Sequence, residues 1–395
     1  MAQAAQGGGI LLLDPGCDSI AGHHFSYDAA LRAFCSARGI PIRVVGPVVR
    51  PAVMERLEGP AHFRTNVYVR QAGAIEVLAA AAQGNRFFLE DLEKLGEPAA
   101  GTTVMMHTVT HLHLVGLAAW LRKLREKPRV RLTLRYPPDF YASGDGGSVA
   151  GGLYLHALRT IAKAVPDARF YSDTAALAER YARASGVPVS LLPNPSSFLG
   201  PPPGEAPVRE GPSRYLFLGE ARFEKGYHLV PEAIRLALAR RPGLRFVVQV
   251  TRGTPELDGE LRKMAAGGAV TFATGLPVPD EAYVPMVRAA DALLLPYRPD
   301  HYKLRASALF VDAIANGRCP IVTGGDTSME RELKEFQPLP GVLMSAFTAP
   351  ALADAIVEFD TRRAELLAAV ARAAPAIRAR HGIERYYAVQ CEAAA

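Results

Sequence analysis

Two short segments in the second half of the chain hold residue types able to grip a phosphate. The first is Leu216-Phe-Leu-Gly-Glu-Ala-Arg-Phe-Glu-Lys-Gly226: an apolar run, a polar loop and the start of a helix. It brings Arg222 and Lys225 near the carboxyl end of a strand, where a cation meets a phosphate and helix-terminal amides add donors. The second runs from Leu293 to Gly317. Its apolar run ends at Pro296, its loop carries Tyr302, Lys303 and Arg305, and Ser307 is placed to cap a helix. The free N–H groups around Ser307 and Ala308 then form an anion site. Asp312 lies about one and a half turns along that helix, where a carboxylate accepts hydrogen bonds from sugar hydroxyls. Arg252, beyond the apolar run 244–250, joins the same set of anion-binding candidates.

In the first half the candidates are histidines. Gly22-His23-His24 follows the first apolar run. Gly22 allows close backbone approach, His23 can bind a sugar or phosphate, and His24 is expected on the side of a second substrate. His107, His111 and His113 follow the run Thr103–Met106. No glutamate stands between the first two, and the intervening Thr-Val-Thr is a poor helix. The helical histidine pair of zinc enzymes is therefore missing and no metal is expected. His107 is expected to face a cleft from a strand end. Asn194, in Pro193-Asn194-Pro195, is placed with His24, and Tyr136–Asp139 and Gly144–Gly147 are loops bordering the same side. The four cysteines make no CxxC pair, which suits free thiols in a reducing compartment.

These residues need a scaffold, and the pattern supplies one. Ile10–Leu13 is a short buried strand ending in Asp-Pro-Gly, Tyr27–Ala37 has helical spacing, and Pro41–Val49 is the next apolar run. Alternation continues with strand pieces at Arg86–Leu89, Thr103–Met106, Val130–Leu134, Arg169–Ser172 and Val187–Leu192. The stretch 200–213 is rich in proline and glycine and reads as a linker. A second α/β array then begins at Arg214. Late helices are expected over Ala349–Ala374, with a break, and over Ile383–Glu392. The predicted organisation is an N-terminal Rossmann-like domain over 1–199, the linker, and a C-terminal Rossmann-like domain over 214–375. A last helix in 376–395 packs back on the first domain. In open α/β sheets ligands bind beyond the carboxyl ends of the strands, so the chemistry is expected in a cleft between two facing parallel sheets.

Composition sets the outer limits. With 49% hydrophobic and 21% charged residues over 395 positions, the chain is ordinary globular material that needs no disulfides. Its net charge of +6 favours anionic ligands and peripheral contact with an anionic inner membrane face. No arginine run alternates with aromatics, so nucleic acid is not an expected partner. The N-terminal segment lacks the basic and long apolar stretches of a secretory signal, so a cytoplasmic protein is expected.

The second half resembles the donor domain of GT-B glycosyltransferases of the GT4 type. Gly219-x5-Lys225-Gly226 matches that family's Gly-Arg-Leu-x-x-x-Lys-Gly loop, with Glu220 at the arginine position and Arg222 nearby. Val311-Asp-Ala-Ile-Ala-Asn-Gly317 matches the end of its Glu-x7-Glu motif, with Asp312 in place of the second glutamate and Leu304 where the first would stand. The resemblance covers Arg214 to about Glu335. It implies a nucleotide-sugar donor, a UDP- or GDP-sugar, and a sugar or lipid-linked acceptor bearing a hydroxyl. It implies metal-independent transfer with retention. Lys225, Arg222 and Arg305 would stabilise the departing diphosphate, Asp312 would hold the ribose, and His107 would lie near the donor sugar. Loss of the carboxylate at Leu304 leaves two alternatives open: a non-catalytic sugar-nucleotide-binding or scaffold protein, and a nucleotide-sugar epimerase.

Overall fold

Short apolar runs become buried parallel strands throughout the computed structural model, which describes residues 8–20, 22–66, 68–196, 209–249, 255–273 and 280–392. Two units divide the chain: Met1–Ser197 together with Ile383–Ala395, and Phe198–Gly382. The expected linker falls largely outside the described residues, as does Arg252.

The first unit contains strands β1 (Ile10–Leu13), β2 (Ile42–Pro47), β3 (Ala61–Phe63), β4 (Thr103–Met106), β5 (Arg129–Thr133), β6 (Arg169–Ser172) and β7 (Val189–Leu191). Their order in the sheet is β3-β2-β1-β4-β5-β6-β7. All pair in parallel, with Leu12 of β1 between Val44 and Met105. Every residue of β1 and β4 is buried, as expected of central parallel strands covered on both faces. The order reverses between β1 and β4, and ligands of such sheets collect beyond the carboxyl ends of that pair.

The second unit repeats the plan with β8 (Arg214–Phe217), β9 (Arg245–Gln249), β10 (Val270–Ala273), β11 (Ala292–Leu295), β12 (Cys319–Thr323) and β13 (Val342–Met344). The order is β10-β9-β8-β11-β12-β13, again parallel, with the reversal between β8 and β11. Phe217, Phe246, Leu294, Ile314, Ile321 and Phe359 lie in its core. Both halves are thus Rossmann-like, the architecture of the GT-B class.

Three local expectations are corrected. Arg86–Leu89 is not a strand but part of the helix Ala74–Leu95. Its buried face is Val77, Ala81, Phe88 and Leu92, a helical spacing that outweighs the strand preference of two adjacent phenylalanines. Burying Phe88 completely contributes about 1.5–3 kcal/mol. His23 and His24 belong to the first turn of the helix His23–Ser36 rather than to the preceding loop. Gly22 sits before it at a φ of 97°, open to glycine and strained for other residues. The long C-terminal helix does break, at Arg362, but its second part runs to Arg380. The three-residue edge strands β3 and β13 went unread, whereas β7, equally short, lies inside the longer apolar run Val187–Leu192.

Among the described residues, no helix is long and apolar enough to cross a membrane.

Candidate functional site

Each unit gathers its reactive side chains at the point where its strand order reverses. In the second unit the loop after β8 turns through the short helical turn Phe223–Lys225. Gly219, at φ 108°, a conformation strained for other residues, donates its N–H to the Gln249 side chain at 2.7 Å and lies against the Lys225 ammonium. Gly226, at φ 72°, packs onto the Pro296 carbonyl so tightly that any side chain would collide. The Arg298 N–H donates to the Glu224 carbonyl at 2.9 Å. Gly226 and the Arg298–Glu224 hydrogen bond therefore weld the loop after β8 to the loop after β11.

Lys225 is half-buried at this junction and forms no ion pair among the described residues. Its ammonium lies over the Tyr297 ring at 5.9 Å, while the Arg305 guanidinium lies over Tyr302 at 4.9 Å. The two tyrosines are buried and in ring contact at 4.4 Å. Loss of solvent, followed by the positive charges of Arg222 and Arg305, pulls the Lys225 pKa down to about 8. Arg222 has partners, since its guanidinium lies 3.2 Å from both Glu220 and Glu224. Lys303 is tied to Asp326 at 2.9 Å.

Ser307 caps the helix Ala308–Ala315 by accepting from the Phe310 N–H at 3.3 Å. Ala308 is its exposed first residue. Asp312 is buried and accepts a hydrogen bond from the Tyr283 hydroxyl at 2.7 Å. The structure thus brings Arg222, Lys225, Tyr302 and Arg305 together and puts Asp312 farther along the same helix, held by Tyr283.

The first unit has a different group at its reversal point. Asp14 follows β1, His107 follows β4, and the helix His23–Ser36 contributes His24 and Asp28. All four are nearly sealed from solvent. Nδ1 of His24 lies 2.7 Å from each oxygen of Asp14. Nε2 of His107 lies 2.8 Å from Asp28 Oδ1 and 3.1 Å from Asp14 Oδ2. The other nitrogen of His24 meets the Tyr68 hydroxyl, which also lies 3.2 Å from His23 Nε2.

Burial disfavours every charge here, and neighbours decide which survive. The imidazoles of His24 and His107 overcome burial at Asp14 and hold its pKa well below the usual carboxylate range. Burial and the adjacent Asp14 push Asp28 up to about 7. Burial works against a charged His107, but Asp14 and Asp28 outweigh it and lift the ring to about 10. Burial and Arg135 push His23 down.

His111 meets Gln71 at 3.1 Å and His113 meets Thr110 at 3.0 Å, both away from this group. Asn194 donates to Asp173 at 2.7 Å. Sequence reasoning passed over Asp14, Asp28 and Tyr68. The signal for Asp14 was present, since it is a carboxylate directly after the first strand, where open sheets bind ligands.

Neither a known protein-family pattern nor a curated protein sequence matches the chain. Solved structures do resemble it in fold. HepE from Anabaena, solved with UDP, shares 14% identity at a TM-score of 0.62, covering 96% of this chain and 97% of that one. A UDP-forming alpha,alpha-trehalose-phosphate synthase from Burkholderia vietnamiensis shares 13% at 0.65, covering 97% and 96%. A glycosyltransferase from Rickettsia africae shares 9% at 0.65, covering 98% and 100%. At these identities the likeness establishes the two-unit fold over the whole chain.

Proposed function

We propose that the protein is a glycosyltransferase that moves a sugar from a nucleotide sugar, with UDP or GDP as leaving group, to an acceptor hydroxyl. The observation that carries this reading is Lys225. A half-buried ammonium that forms no ion pair among the described residues, flanked by Arg222 and Arg305 at a strand-order reversal, is a site waiting for a polyanion. Similarity to a UDP complex and to a UDP-forming synthase favours a nucleoside diphosphate as that anion.

In this reading Lys225 and Arg305 meet the diphosphate, with the N–H groups of Ser307 and Ala308 beside them, and no metal is required at the phosphates. The positive charge is preorganised over two tyrosine rings, so charge developing on the leaving group meets fixed partners instead of reorganising water. Tyr302 shapes the floor, and Asp312, oriented by Tyr283, accepts from the ribose. Arg222 joins once the phosphates compete with Glu220 and Glu224. The configuration at the sugar is retained, and the departing phosphate takes the proton of the acceptor hydroxyl. Gly22, His23, His24 and Asn194 belong to the unit assigned to the sugar and acceptor side. His107 supports that unit from within, because both carboxylates occupy its Nε2.

The test is incubation with UDP-, GDP- and ADP-sugars, each with and without a panel of sugar and lipid-linked acceptors. Free nucleotide that appears only with acceptor supports transfer. Binding without turnover on any acceptor would replace the enzyme with a sugar-nucleotide-binding scaffold, the reading favoured by Leu304. Donor rearrangement without acceptor would indicate an epimerase.

A further inference from the structure

The geometry points to a divalent transition-metal site of the zinc class in the first unit, held by Asp14, His24 and His107, with Asp28 against His107. It is independent of the phosphate-binding residues of the second unit.

The first reason is a shortage of protons. A ring nitrogen carries one hydrogen at most. Nδ1 of His24 faces two carboxylate oxygens at 2.7 Å, and Nε2 of His107 faces two more at 2.8 and 3.1 Å. Two hydrogens thus serve four close contacts. Among the described residues Asp28 Oδ2 is buried and meets no hydrogen-bond donor at close range, with the Cys17 thiol and the Asp14 carboxylate as its neighbours. A cluster with more lone pairs than donors is short of a cation, and burial makes that shortage costly.

The second reason is charge. Asp14 and Asp28 are both carboxylates sealed from solvent, a donor pair that favours a cation beside it. Arg135 directs its guanidinium toward Tyr27 at 3.5 Å and Asp173 at 3.8 Å. A divalent ion balances the two carboxylates with both imidazoles neutral, the form in which they ligate.

The third reason is the surroundings of the ring nitrogens. Metal-bound histidines almost always fix the nitrogen that does not ligate through an outer hydrogen bond. His24 Nε2 has the Tyr68 hydroxyl and His107 Nδ1 has Thr108 Oγ1 at 3.4 Å, so the correct nitrogen of each ring is turned inward. The donor atoms of Asp14, His24 and His107 all lie within 4.8 Å of one another, and those of Asp14, Cys17 and Asp28 do as well. Zinc sits about 2.0–2.2 Å from nitrogen and oxygen donors, a spacing that donors this close together can reach by small side-chain shifts. Two imidazole nitrogens among the donors favour zinc over calcium or magnesium. Cys17 stands by as a thiolate donor.

The experiment uses the full chain, stripped with chelator and titrated with Zn²⁺ and Co²⁺. Uptake of about one equivalent, a higher thermal midpoint with Zn²⁺, and the visible bands of tetrahedral Co²⁺ are expected. His24→Gln and His107→Gln should each weaken uptake by about a hundredfold or more, since outer-shell losses alone cost 10–100-fold. Tyr68→Phe removes only the hydroxyl behind His24 and tests the site without touching a ligand; it should weaken uptake about 10–100-fold. Cys17→Ser should abolish any near-ultraviolet thiolate band of the Co²⁺ form. No uptake of either ion would overturn the proposal, as would equal affinity in the parent, the folded glutamine variants and Tyr68→Phe.

Discussion

At the strand-order reversal of the first sheet stand two carboxylates and two imidazoles; at that of the second stand a lysine and two arginines. The scaffolds are the same, strand for strand, from one edge through the reversal to β6 and β13. The difference lies in the loops. After β1 the chain delivers Asp14 and a helix bearing His24 and Asp28, and after β8 it delivers a glycine-framed turn bearing Lys225. Backbone order creates a crevice, and the side chains decide which charge it attracts. The first group is sealed from bulk solvent and its donors suit a cation; the second is open enough to wait for an outside anion.

The sharpest way to break this contrast is to remove the central ring of the first group. His107→Leu leaves Asp14 and Asp28 facing each other without a cation between them. Denaturant unfolding of the chelated protein should show a loss of about 3–5 kcal/mol, the usual cost of orphaning a buried charge. A loss within experimental error would mean that the group is not a charge-paired cluster.

The matching change in the second unit should spare stability and harm binding. Lys225→Ala is expected to weaken UDP or GDP binding by about 1.5–3 kcal/mol, the range for a charge-assisted bond. Its unfolding free energy should hold or rise at neutral pH, because no ion pair is lost and an ammonium penalised by burial is removed. Unchanged affinity by calorimetry would remove Lys225 from the site.

Acidity gives a third comparison. Lys225 is held at about 8 against an ordinary 10.5, with Arg222, Arg305, Glu220 and Glu224 as the surrounding charges. Its folded pKa lies below its unfolded one, so protonation penalises the fold at neutral pH. That penalty disappears as pH rises from about 8 to 10.5. Diphosphate binding has the opposite slope: constant below about 8, then falling as the ammonium is lost. Titrating UDP affinity from neutral to alkaline pH should show the fall, and Lys225→Arg should move it to higher pH.

The smallest effect belongs to Glu220, which occupies the position where the resembling family keeps an arginine. Glu220→Gln frees Arg222 from one of its two carboxylates. Diphosphate affinity should rise by about 0.2–1 kcal/mol, as expected for a solvent-exposed pair. Weaker binding would show that Glu220 positions Arg222 instead of competing for it.

The ease of reading the two groups from sequence differed for physical reasons. Arg222, Lys225, Tyr302, Arg305 and Ser307 lie in two continuous loops after apolar runs, and the α/β alternation positions such loops. The group in the first unit is drawn from two strand ends and a helix face, with no spacing that marks it. A helical histidine pair would have to run along His107, His111 and His113, yet the fold turns His111 toward Gln71 and His113 toward Thr110. The partners of His107 come from Asp14 and Asp28, which only the sheet order brings near. Likewise, Phe87 and Phe88 look like strand residues until the helical spacing over Ala74–Leu95 is taken whole.

The return of Ile383–Cys391 to the first unit has a consequence for synthesis. Tyr386 is buried in that unit's core, the Tyr387 ring meets Phe34 at 5.1 Å, and Arg131 donates to the Gln390 carbonyl at 2.8 Å. A ribosome delivering the chain from its N-terminus therefore releases β1 to β7 with a slot still open beside the helix His23–Ser36. The second unit, contiguous from Phe198 to Gly382, can close first. The first to be made is the last to be finished, and until then the nascent chain carries an unfilled apolar groove of the kind that chaperones hold.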